Sequence, residues 1–175
     1  RGRGDKGFAL IDLLFVCGII GILAAIATPR LLSARTSATA ASALGTMRSI
    51  STAQLAFALS CGNGYYAADL PSLAKPPVAS TLGFIGPDLG AGVTVLKSGY
   101  TVNMSGTPYA GAPDTCNLLG PDVSAQAFKA AADPIDATNP RFFSVNALGA
   151  IYEDTSSMFA AMPENNPPAT GHPVH

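Results

Sequence analysis

The sequence predicts an α+β protein: one long N-terminal α-helix whose C-terminal half packs on a small antiparallel sheet of about four strands. Three observations carry that expectation. Residues 8–29, FALIDLLFVCGIIGILAAIATP, are an apolar run that a helix would extend over about 33 Å, close to the hydrocarbon thickness of a bilayer. Residues 30–60 continue without proline, rich in Ala and Leu, with apolar side chains at helical spacing. Alternating, strand-like segments occur only after residue 98. Helix first and strands afterwards, rather than in alternation, is the order of an α+β domain.

Residues 1–7, RGRGDKG, are net basic, and no Lys or Arg follows until Arg30. By the positive-inside rule such a leader keeps the N-terminus cytoplasmic and the remainder is translocated. No second apolar run of spanning length occurs, so a single pass is expected. The chain does not begin with Met, so further residues are expected upstream. Asp12 interrupts the apolar run. A lone carboxylate there is costly unless the membrane interface solvates it or a cation neutralises it. Pro29 lacks an N–H and crowds the preceding turn, so a kink or loosening is expected at that point.

In residues 30–60 the stripe runs through Ala40, Leu44, Met47, Ile50, Ala53 or Gln54, and Phe57, opposite Ser42, Arg48, Ser49 and Ser60. Gly62 or Gly64 then supplies a C-terminal cap. Residues 61–98 hold eight Pro or Gly punctuators from Pro71 onward and read as a connecting loop, with a short helical turn near Asp69–Ala74. Within a sheet region at 99–162 the expected strands are Tyr100–Met104, Gln126–Ala132, Arg141–Val145 and Ala150–Tyr152. The last follows a hairpin turn at Asn146–Gly149. The Pro-rich tail, residues 163–175, is expected to be mobile.

A net charge of −1 and a charged fraction of 12% leave no electrostatic footprint for nucleic acid. No nucleophile elbow, phosphate loop, calcium loop or zinc spacing occurs, so neither an enzyme nor a metal or cofactor is expected. His172 and His175 lie in the tail, and Asp133, Asp136, Glu153 and Asp154 read as solvated surface charge. Asn103-Met-Ser105 fits the glycan acceptor pattern formally. Aromatic residues are 7% of the chain, with no spacing that suggests a conducting array. Cys17 lies within the apolar run as a small packing residue. Cys61 and Cys116 are either a disulfide, the natural reading in an exported domain, or two unpaired buried thiols.

Lys6-Gly7-Phe8-Ala9-Leu10-Ile11-Asp12-Leu13-Leu14, followed by GIIGILAAIATP, resembles the class III signal and N-terminal helix of type IV pilins and pseudopilins. Similarity continues more loosely through residues 42–54, 97–102 and 132–154. The resemblance implies a leader at 1–7 cut by a prepilin peptidase between Gly7 and Phe8, with methylation of the new Phe8 amine. Identical subunits would leave the inner membrane through a pilus assembly machinery and stack into an extracellular helical filament with the Phe8 helices at its core. Asp12 would then pair with the Phe8 amine of a neighbour, and the helix would loosen around Gly18, Gly21 and Pro29. Asp stands here where that family generally has Glu, one methylene longer. Two alternatives are a pseudopilin of a type II secretion system and a signal-bearing secreted periplasmic protein that starts near Thr28.

Overall fold

The computed structural model describes residues 10–174. Helix α1 spans Leu10–Ser60, 51 residues, and it runs unbroken through position 29, so proline there does not end it. The chain divides into two compact units, Arg1–Ala38 and Thr39–His175. The described part of the first unit is helix α1 alone.

In the second unit α1 packs on a sheet. Burial begins at Ala40 and continues through Ala43, Met47, Ile50, Ala53, Gln54, Phe57 and Ala58, the 3–4 spacing that keeps one helix face inward. The expected stripe is therefore the packed one, with Leu44 only partly buried, and residues 30–38 bury no comparable face. Two glycines shape the end of α1 for different reasons. Gly64 adopts φ +91° and donates its N–H to the Ala58 carbonyl at 2.9 Å, the left-handed cap that glycine accepts without strain. At Gly62 a Cβ would lie 2.2 Å from the Tyr65 carbonyl oxygen, so the chain can turn only without one.

The short helix α2, Leu70–Ala74, forms where a helical turn was expected, because Asp69 accepts the Ser72 N–H at 2.8 Å as its N-cap and Pro71 sits in its first turn. Six antiparallel strands follow in sequence order: β1 Thr94–Lys97, β2 Tyr100–Ser105, β3 Lys129–Pro134, β4 Phe142–Asn146, β5 Ile151–Asp154 and β6 His172–Pro173. Tyr100, Val102, Ala130, Ala132, Phe143, Val145 and Ile151 share one core cluster with Met47, Ile50 and Phe57 of α1.

Four sequence expectations are corrected. The sheet has six strands rather than about four, because its two outer strands lie where a loop and a mobile tail were expected. Strand β1 falls inside the Gly- and Pro-rich stretch and turns into β2 through Ser98 and Gly99, both at positive φ, the two-residue hairpin that matches strand twist. The tail is held: Pro173 pairs with Tyr152, His172 with Glu153, and the Val174 N–H donates to the Ile151 carbonyl at 2.8 Å. The second expected strand starts later, at Lys129 rather than Gln126, and Ala125 just before it exchanges both backbone bonds with Tyr66. The hairpin turn at 146–149 is present, with Gly149 at φ +79°.

Buried amides fasten the loops to this frame. Gln54, fully buried on α1, donates to the Ala67 carbonyl at 2.8 Å and accepts the Ala67 N–H at 2.9 Å. Asn117 donates to the carbonyls of Ser72 and Lys75, and Asn146 to those of Pro163 and Asn166. The Asn139 amide donates to the Tyr100 hydroxyl at 2.9 Å. Each gives backbone or hydroxyl groups partners that the ladders do not supply.

Cys61 and Cys116 form a disulfide with Cα atoms 4.8 Å apart across a sequence separation of 55. It ties the end of α1 to the 106–124 segment. Constraining so long a loop in the unfolded chain contributes on the order of 4 kcal/mol in the chain-entropy account. The double change Cys61→Ser, Cys116→Ser is therefore expected to lower stability by about 2–4 kcal/mol. Urea melting of both forms in one detergent measures this, and coincident midpoints would refute it.

Candidate functional site

From Ile11 to Ile26 the apolar side chains of α1 are uncovered. Ile11, Leu14, Phe15, Ile22 and Leu23 are more than 60% exposed, and Leu13, Val16, Ile19, Ile20 and Ile26 stand between 44% and 59%. At about 100° per residue these positions point in every direction around the axis. A helix that is apolar all round is stable only where lipid or other apolar helices surround it. Among the described residues this is one helix long and apolar enough to cross a membrane, and none of its most apolar window is buried within the chain. By length and composition it fits a membrane anchor or a signal segment.

Four charges lie along α1: Asp12, Arg30, Arg35 and Arg48. All four are exposed. Among the described residues the ion pairs are Lys97–Asp88 and Arg141–Glu153, so none of the four has a charged partner. Asp12 stands in the first turn, where a negative charge suits the helix dipole. That alone does not solvate a carboxylate among leucines. Gly18 and Gly21 lie in unbroken helix, and a Cβ at either would meet nothing within 4 Å, so no contact within the chain asks for glycine there. Cys17 is free and exposed. Gly7 and Phe8, the expected processing residues, lie outside the described residues, as does His175.

Of the acids read as solvated charge, Asp136 is exposed and Asp133, Glu153 and Asp154 are half-buried, and each has a hydrogen-bond partner. Asp133 accepts the Ser157 hydroxyl at 2.6 Å, Asp136 accepts the Thr138 N–H and hydroxyl, and Asp154 accepts the Thr155 N–H. Glu153 is gripped at both oxygens by Arg141, Nε at 2.5 Å and Nη2 at 2.9 Å, while the same guanidinium lies over the Phe143 ring. The partners of Asp133 and Glu153 come from another strand or loop and left no local sign, whereas those of Asp136 and Asp154 are one or two residues away. The formal glycan acceptor fails too: Asn103 lies in the middle of β2 with its side-chain oxygen buried, not on an accessible loop. No group of three or more metal-ligating side chains occurs among the described residues.

The hydrogen bond from Arg141, and then its charge, holds the Glu153 carboxyl below the ordinary carboxylate range against the opposing effect of burial. A carboxyl whose folded pKa lies below its unfolded one adds stability above the unfolded value, about 4.3, and loses it as pH falls through the folded value. Glu153→Gln is therefore expected to lower Tm at pH 7 and to flatten the decline of Tm below about pH 4.5. Melting curves between pH 3 and 7 measure this. An acid limb as steep as that of the unchanged chain would show that Glu153 does not carry it.

A comparison with protein-family models, with curated proteins and with solved structures finds no match to this chain.

Proposed function

We propose that this chain is the structural subunit of a type IV pilus-like filament, held in the inner membrane by the first part of α1 and assembled through it into an extracellular fibre of identical copies. One observation carries the reading: a helix uncovered and apolar on every side, bearing a single acid, is continuous with the helix that forms the core of an α+β domain. A helix of this kind suits two successive surroundings, lipid first and a bundle of its own copies afterwards. The class III signal that residues 6–14 resemble supplies the route between them, with cleavage after Gly7 by a prepilin peptidase and methylation of Phe8. Asp12 is tolerable near the membrane interface and register-setting in the bundle, where an unpaired charge would cost several kcal/mol. The disulfide suits export into an oxidising compartment.

The test is the mature N-terminus together with the location of the protein. Material sheared from cell surfaces should contain filaments whose subunit begins with N-methylated Phe8. Short assemblies confined to the periplasm would identify a secretion pseudopilin. A soluble protein that starts near Thr28 would overturn the filament reading.

A further inference from the structure

We infer that Arg30 of a second copy is a cationic partner of Asp12, in a parallel pair of α1 helices staggered by about 27 Å. The inference rests on the filament reading and specifies a contact within it. Asp12 is the only acid of α1, and Arg30 is the nearest cation on the same helix. Both are exposed, and among the described residues neither belongs to an ion pair. Within one straight helix they cannot meet: eighteen positions at about 1.5 Å each set them about 27 Å apart. Two copies bring them together in one of two ways. An antiparallel pair joins Asp12 to Arg30 twice and is closed. A parallel pair joins them once and leaves an unused Asp12 at one end and an unused Arg30 at the other.

Copies inserted with the same leader face the same way, which selects the parallel arrangement. Its interface is heterologous, so each added copy recreates the site that accepts the next, and the assembly grows without closing. The guanidinium suits this role because its planar fork grips a carboxylate at both oxygens and stays charged out of water. Most of the length between the two charges is apolar surface, which tolerates many axial positions. The charge pair distinguishes one of them.

The geometry sets the test. Ile19 and Ser37 lie seven positions beyond Asp12 and Arg30, on nearly the same helix faces, and both are exposed. In a background carrying Cys17→Ser, the double variant Ile19→Cys, Ser37→Cys is oxidised in cells, and the membrane and sheared fractions are run without reductant. The expected result is a ladder of cross-linked multimers, with at least tenfold less from Ile19→Cys, Ser33→Cys, whose second cysteine sits about one turn away. Adding Arg30→Gln to the first pair should remove most of the ladder.

Each of the following results would overturn the inference. Equal ladders from both pairs would remove the stagger. An unchanged ladder with Arg30→Gln would remove the ion pair. Dimers from Ile19→Cys, Leu23→Cys, positions on the Asp12 face that an antiparallel pair would set opposite one another, would reverse the orientation. Filaments with no cross-link at the first pair would sink this contact alone, whereas the absence of any assembly would sink the filament reading with it.

Discussion

Asp12→Ala should leave membrane insertion intact while reducing filament yield at least about tenfold. Insertion is not expected to suffer, because replacing an acid by Ala makes an apolar helix cheaper to place in lipid. Assembly should suffer because the carboxylate is the one side chain in the apolar stretch whose energy depends steeply on axial position. Without it, neighbouring registers of a uniformly apolar surface differ little. Registers within about 1.4 kcal/mol of one another compete within a factor of ten. Quantitative blotting of membrane and sheared fractions, with electron microscopy of the latter, reads both halves of the expectation. Filaments of ordinary number and length would end the register role for Asp12, and a variant absent from the membrane would show that the acid acts earlier.

Gln54→Leu is expected to destabilise the second unit by about 2–6 kcal/mol, since it strands two buried backbone groups at about 1–3 kcal/mol each. Gln54 is fully buried and bonds both the N–H and the carbonyl of Ala67. Leucine fits the volume but offers neither partner. The neighbouring change Leu55→Gln is the internal control, because Leu55 is 53% exposed and its replacement should shift stability by no more than about 0.5 kcal/mol. Denaturant melting in one detergent, followed through the tyrosines, compares the three forms. Similar midpoints for Gln54→Leu and the unchanged chain would mean that the Ala67 segment finds other partners.

These two positions also show how much was legible beforehand. Asp12 stood out because a charge within an apolar run is a local contrast that needs no partner to be seen. Gln54 did not. The stripe left Ala53 or Gln54 open at that turn, and both proved buried, because the 3.6-residue period places both toward the sheet. That Gln54 is there to hold Ala67 depends on a loop returning from thirteen residues on. Arg141 and Glu153 were equally silent, being neighbours across a strand pair rather than along a segment. A signal for β1 was present in Ser98-Gly99 between two alternating runs, but the surrounding prolines and glycines masked it.

What the sequence determined by itself was the long helix, its change from apolar all round to one-sided, the turn at 146–149 and the α+β order. These follow from period, composition and turn chemistry, which act over a few residues and do not depend on where the rest of the chain goes. The structure bears out the Cys61–Cys116 disulfide that the sequence favoured. Only the tertiary structure decided that Thr94–Lys97 and His172–Pro173 complete the sheet and that buried amides hold the loops. Each requires groups distant in sequence to be brought within bonding distance, and a lone amide or a two-residue strand has too little local preference of its own to announce that. The same division holds for charge: the spacing of Asp12 and Arg30 is written in the chain. Their exposure on one continuous helix, each without an ion-pair partner among the described residues, makes that spacing a length for a second copy to match.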